Sequence, residues 1–226
     1  MAIANLLIRI RNHQSLTMDG WTAKWYAGTT ARQMGQYVAW ARKVSESVGP
    51  GAHVLEVAPG PGYLSIALAG LGDYRVVGMD LSPDMVEIAR RKAAEAGAHV
   101  DFRQGDAHYM PFVDDRFDFI VCTAAFKNFP EPVRVLDEMH RVLKRNGRAL
   151  IIDLRKDASM REINKGVDAM GLGIMNSFFT KLVFKYGLRK IAYTKDQMND
   201  FARRSRFIRC DTVETGMGIE VMLRKQ

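Results

Sequence analysis

The apolar positions of this chain keep one rhythm over residues 52–154 and another after residue 155. In the first stretch, short apolar runs alternate with segments of helical period. Val54–Val57, Arg75–Asp80, Val100–Arg103, Phe117–Thr123 and Ala149–Leu154 read as strands. Between them, Tyr63–Ala69 reads as a helix. A second helix is capped by Ser82, with Pro83 in its first turn and Gly97 just past its end. A third runs from about Pro132 to Lys144, has a basic last turn and stops at Asn146-Gly147. Strands alternating with helices at this spacing predict a mostly parallel, doubly wound α/β sheet covered on both faces.

The flanks read differently. Ile3, Leu6, Leu7 and Ile10 fall on one side of a short amphipathic helix, and residues 31–48 form another, with Met34, Tyr37, Val38, Ala41 and Val48 on one face. The segment between, His13 to Thr30, reads as an ordered loop holding Trp21, Trp25 and Tyr26. Beyond residue 155, Met160, Ile163, Val167 and Met170 suggest a helix, and Gly171-Leu172-Gly173 interrupts it. A dense apolar stretch around Phe178, Phe179 and Leu182–Phe184 follows. Thr194-Lys195-Asp196-Gln197 is a capping-box signature that opens another helix. Phe207–Val213 and Gly218–Leu223 are expected to form an antiparallel hairpin that completes a sheet of seven strands.

The chemistry concentrates where the first strand ends. Glu56-Val57-Ala58-Pro59-Gly60-Pro61-Gly62 leads from strand to helix through a turn with few side chains, which leaves room for a ligand against the backbone. A second acid, Asp80, closes the next strand. Such a turn could serve several nucleotides. The dinucleotide fingerprint needs a third Gly or Ala where this chain has Ser65, and a phosphate-binding Gly-Lys-Ser/Thr loop is absent. Glu56 would also repel a pyrophosphate. A cationic sulfonium nucleoside suits the two acids better.

These residues, with others in order, resemble the class I S-adenosylmethionine-dependent methyltransferases. Glu56 to Gly62 resembles their first motif, with Ala58 in place of its first glycine. Asp80-Leu81-Ser82 resembles the second, whose acid bonds the ribose hydroxyls, and Gly105-Asp106-Ala107 the third, whose acid meets the adenine amino group. Asp118–Val121 resembles the fourth strand, and Val142–Arg148 the turn before the fifth. Phe126-Lys127-Asn128-Phe129 is similar to the Leu-Arg-Asn-Val segment of ubiquinone and menaquinone C-methyltransferases, which act on hydrophobic quinone precursors.

The resemblance implies S-adenosylmethionine as cofactor, held by Glu56, Ala58, Pro59, Gly60, Gly62, Asp80, Leu81, Met85, Gly105, Asp106, Ala107, Thr123 and Ala124. It divides the chain into a helical lid (1–48), a cofactor-binding core (49–154), a substrate-cap insertion (155–193) and a closing helix and hairpin (194–226). Phe126, Met170, Met175, Phe178 and Phe179 are the expected acceptor contacts, since Met and Phe adapt to irregular apolar ligands. Methyl transfer is an in-line displacement and needs a base only when the acceptor must lose a proton. His108, Tyr26 and His13 are the base candidates, and Asp153 also ends a strand near the expected acceptor site.

Composition bounds the rest. The apolar fraction of 47% supports a full core. Cys122 and Cys210 lie far apart with no CxxC partner, so neither a metal site nor a disulfide framework is expected. No apolar run reaches the ~20 residues of a membrane span, and no signal peptide is evident, so a cytoplasmic location is expected. The net charge of +8 divides as +4 over residues 1–48, −3 over 49–154 and +7 over 155–226. The basic flanks and the amphipathic N-terminal helix would permit peripheral contact with an anionic membrane, where lipid-like acceptors reside. Two other functions compete: RNA methylation, which lacks an Asn/Asp-Pro-Pro-Tyr/Phe motif after the fourth strand, and non-catalytic nucleoside binding in regulation.

Overall fold

The computed structural model describes residues 20–170 and 189–226, and between them residues 177, 180–182, 184 and 187. Seven strands form one sheet: β1 (His53–Val57), β2 (Arg75–Asp80), β3 (Val100–Gln104), β4 (Phe117–Thr123), β5 (Leu143–Leu154), β6 (Cys210–Thr215) and β7 (Gly218–Arg224). Their order across the sheet is β3-β2-β1-β4-β5-β7-β6. β3, β2, β1, β4 and β5 run parallel, and β7 enters antiparallel between β5 and β6. This is the predicted doubly wound sheet with its C-terminal hairpin.

Alternation along each strand builds two cores. Val54, Val76, Phe119, Val121 and Leu150 pack under α2 (Met34–Ser45) and α3 (Tyr63–Ala69). Leu55, Val57, Met79, Ile120, Cys122 and Ile151 face the other way, toward α5 (Pro132–Val142) and α7 (Lys195–Arg204). Burying both faces explains why these strands read as continuous apolar runs. α4 (Pro83–Glu95) starts as expected, with Ser82 Oγ accepting from the Met85 amide at 3.1 Å.

Four local expectations are corrected. The loop expected up to Thr30 is a helix, α1, from Trp21 to Thr30. Its buried contact is made by two small residues, Ala23 and Ala27, one turn apart against Met85 and Ile88 of α4, so no broad apolar stripe marks it in sequence. The helix expected over 31–48 is a 3₁₀ turn, Ala31–Gln33, followed by the shorter α2.

The helix expected to reach residue 144 ends at Val142, and β5 begins at once. Asn146-Gly147 is not a stop but a bulge: Phe117 pairs with Leu143 and Phe119 with Arg148, and Asn146 adopts φ 61° to absorb the excess. The first strand of the C-terminal hairpin is also displaced. β6 starts at Cys210, not Phe207, because Ile208 is left-handed (φ 63°) and the Arg209 amide donates back to the Phe207 carbonyl at 2.5 Å.

After β5, α6 (Met160–Asp168) opens on a full capping box between Ser159 and Glu162, a signature present in the sequence as Ser-Met-Arg-Glu. A single turn, Arg189–Ile191, precedes α7, whose capping box joins Thr194 and Gln197 as predicted. The N-terminal helix at residues 3–10, His13, Met175, Phe178 and Phe179 lie outside the described residues. Among the described residues no helix is long and apolar enough to cross a membrane.

Candidate functional site

The strand order reverses between β1 and β4, the place where open α/β sheets bind ligands at their carboxyl ends. At that edge the first residue past each of the two strands is a left-handed alanine. Ala58 and Ala124 both have φ 55°. The Ala58 amide donates outward to Met79 of β2 at 2.8 Å, and the Ala124 amide donates outward to Ile152 of β5 at 2.7 Å. The chain therefore turns away from the β1/β4 seam on both sides and leaves a crevice.

The β1 wall is the glycine-rich turn. Gly60 and Gly62 are left-handed, at φ 53° and 80°. A side chain at Gly62 would meet the Phe102 ring at 2.5 Å, so both backbone and space demand glycine there. Asp80, at the end of β2, organises the turn: Oδ2 accepts from the Gly60 amide at 2.9 Å and Oδ1 from the Ser82 amide at 3.0 Å. Glu56 is buried within β1 and accepts from the amide and hydroxyl of Ser65 at 3.0 and 2.5 Å, which satisfies a free amide at the start of α3. Burial pushes its pKa up to about 7; the Ser65 bonds oppose that rise and the Asp80 charge adds to it.

Around this turn stand the other expected cofactor contacts. Leu81 and Ser82 follow Asp80, and the Gly105 amide donates to the Asp80 carbonyl at 2.9 Å, bringing the Gly105-Asp106-Ala107 loop alongside. Pro59 lies in the turn itself. Met85 is covered by α1. Thr123 is buried at the end of β4.

Tyr26 of α1 reaches over the turn; a Cβ on Gly60 would lie 3.7 Å from its ring. Burial and the charges of Asp153 and Asp80 push the Tyr26 phenol up to about 12, against a hydrogen bond from Tyr37. Tyr26 thus stands between the acids of both halves as a neutral hydroxyl. Tyr63 fastens α1 here by donating its hydroxyl to the Ala27 carbonyl at 2.8 Å.

Asp106 and His108 form a dyad. Asp106 Oδ1 accepts from the His108 amide at 2.9 Å and faces Nδ1 at 2.7 Å. Partial burial tends to raise the Asp106 pKa, but these bonds and the nearby Arg134 charge hold it below the ordinary carboxylate value. A carboxylate can only accept, so Nδ1 carries the hydrogen of this bond. Nε2 is buried and has no hydrogen-bond partner among the described residues. The pairing was not visible in sequence as a dyad, although its two-residue spacing matches a turn in which an aspartate accepts from the second amide beyond it.

On the acceptor side two expectations change. Phe126 is fully buried, so it underlies the crevice rather than lining it, with Phe129 edge-on at 5.8 Å and Tyr193 at 6.3 Å. Asp153 is no free base: both its oxygens are engaged, one with Lys127 Nζ at 2.9 Å and the other with the Lys127 amide at 2.9 Å. Met170 lies against Gln33, whose Nε2 is 3.7 Å from its sulfur. Among the described residues no cluster of His, Cys, Asp and Glu could hold a metal ion.

Comparison with known proteins agrees with this geometry. Residues 54–147 match the family described as "Methyltransferase domain". A demethylmenaquinone methyltransferase of Renibacterium salmoninarum is 37% identical over 122 residues, 53% of this chain and 49% of that protein. The enzyme of the same name from Thermus thermophilus is 38% identical over 101 residues, 44% of this chain and 46% of that protein. The chain thus spans about half the length of these curated relatives. A crystal structure from Methanococcus maripaludis, of a proposed S-adenosylmethionine-dependent methyltransferase, superposes with a TM-score of 0.79 at 20% identity, covering 94% of this chain and 96% of the other. Residues 54–147 are thus similar to a methyltransferase-domain family, and the chain as a whole has the fold of that S-adenosylmethionine-dependent methyltransferase structure.

Proposed function

We propose that this protein is an S-adenosylmethionine-dependent methyltransferase acting on a small apolar acceptor of quinone type. The observation that carries the reading is the left-handed glycine turn flanked by Glu56 and Asp80 at the β1/β4 crevice. Two carboxylates beside a turn suit a cationic nucleoside and would repel a phosphate. Asp80 and the Gly105–Ala107 loop would hold the nucleoside, and Glu56 with the turn amides the amino-acid tail. Bound there, S-adenosylmethionine supplies an electrophilic methyl group on a positively charged sulfur.

The chain's own groups orient, enclose and accept a proton. α1 with Tyr26 covers the turn and excludes water. His108 Nε2 is the group free to take a proton from the acceptor, with Asp106 holding the ring and stabilising its charge. The relatives' name, demethylmenaquinone methyltransferase, supports a quinone-type acceptor. The division into lid, core and substrate cap belongs to the same reading. So does peripheral contact with an anionic membrane, supported by the +7 charge of residues 155–226.

Purified protein incubated with S-adenosylmethionine and a panel containing demethylmenaquinone, in oxidised and chemically reduced form, and transfer RNA tests the reading by mass spectrometry. A 14-dalton gain on a quinone species alone is expected, because one methyl replaces one hydrogen. His108→Gln should lower kcat by about 100-fold. A gain on RNA, or cofactor binding with no methylated product, would overturn the acceptor class or the activity.

A further inference from the structure

The β4 side of the crevice contains a buried ion pair. The Lys127 and Asp153 side chains are 6% and 5% exposed, with Nζ and Oδ1 2.9 Å apart. Asp153 Oδ1 also accepts from the Leu154 amide at 2.7 Å, and Oδ2 from the Lys127 amide at 2.9 Å. Lys127 Nζ donates a further bond to the Ala124 carbonyl. One side chain therefore closes its own turn and fastens it to β5.

The same turn begins with left-handed Ala124, whose amide is fixed to Ile152. A left-handed alanine is disfavoured, and two buried charges are rarely better for stability than an apolar pair of the same size. Two costly features hold one turn in one place. That turn carries Phe126 and Phe129. Phe126 meets Tyr193, and Phe129 meets the His108 ring edge-on at 6.1 Å. An aromatic row thus runs from His108 to Tyr193 with the locked turn at its middle.

We propose that Lys127 and Asp153 are positioning residues: they lock the Ala124–Phe129 turn and, through Phe129, set His108 Nε2 against the acceptor. The catalytic consequence rests on the transferase reading above; the locking does not. Neither residue touches the acceptor, and Lys127 has no role as a base because its ammonium is engaged by Asp153 and by the Ala124 carbonyl.

The test replaces the pair by K127M/D153L, of similar volume, and separately by D153N, which keeps the side-chain shape if the double variant does not fold. Amide exchange is read by mass spectrometry on the protein without cofactor. The amides of residues 124–129 should exchange at least about tenfold faster than in wild type, while those of 58–62 stay unchanged. Per cofactor site titrated by calorimetry, kcat should fall about tenfold or more, with KM for the quinone and the cofactor Kd changed by less than about threefold.

Unchanged protection at 124–129 overturns the lock, whatever the protein methylates. Faster exchange with unchanged kcat overturns its catalytic consequence. Faster exchange in a protein whose wild type methylates nothing leaves the lock standing and removes the transferase reading instead.

Discussion

The two halves of the sheet solve the same problem by different means. On the β1 side and on the β4 side the chain leaves its strand through an alanine at φ 55° and bonds outward to the neighbouring strand. On the β1 side the turn is then held by acids that lie at strand ends and accept from backbone amides: Asp80 from Gly60 and Ser82, Glu56 from Ser65. On the β4 side it is held by a lysine and an aspartate 26 positions apart, out of contact with water. The first half leaves acid partly available to a ligand. The second spends its charges on each other and presents aromatic rings. One fold therefore has acids on one side of the β1/β4 seam and an aromatic row on the other; in the proposed function the first meets the nucleoside and the second the acceptor.

The comparison breaks most visibly at Gly62. Gly62→Ala forces a side chain into the Phe102 ring at 2.5 Å and an alanine into φ 80°. A loss of about 4 kcal/mol in denaturant unfolding is expected, the sum of backbone strain and overpacking. A loss under about 1 kcal/mol would mean that the turn relaxes freely and has no fixed shape to offer a ligand.

Glu56 gives the next effect, on the order of 3 kcal/mol. Its pKa is about 7 in the folded chain against an ordinary 4.5. Below pH 4.5 the group is protonated in both states, so its contribution is fully present; as pH rises through 7 that contribution is lost. Wild type should therefore lose stability over this window relative to Glu56→Gln, as read by urea melts at fixed pH values. Parallel curves for the two proteins would show that Glu56 is already ionised when the site is empty of cation.

The alanines give the smallest effect and the sharpest symmetry test. Ala58→Gly and Ala124→Gly each remove the left-handed penalty and should stabilise the fold by about 1 kcal/mol, less the greater freedom glycine has when unfolded. Equal gains would support the paired outward turns. A gain at one position and a loss at the other would show that the two exits are not equivalent.

Legibility in the sequence follows the same divide. Glu56, Gly60, Gly62, Asp80 and Asp106 sit beside the strand ends they serve, so apolar runs and short motifs reveal them together. The Lys127–Asp153 pair crosses between strands, and no periodicity marks a lysine that will be buried. Phe126 reads as a site residue but is core, because a strand-end aromatic looks the same in either place. α1 escapes because alanines make its contact, and β6 starts late because a left-handed Ile208 cannot be read from its type. Asn146-Gly147 carries a turn signal that the β4–β5 pairing converts into a bulge.

The central claim is that the charged wall selects a sulfonium nucleoside. Isothermal calorimetry of wild type and Asp80→Ala with S-adenosylmethionine, its demethylated product and NAD, in buffers of different ionisation enthalpy, tests it most directly. Saturable binding of the first two is expected, with proton release near pH 7 in both cases as Glu56 ionises beside the amino-acid tail they share, and about 30-fold weaker binding in Asp80→Ala. Binding of NAD with no heat from either sulfur nucleoside would contradict the account.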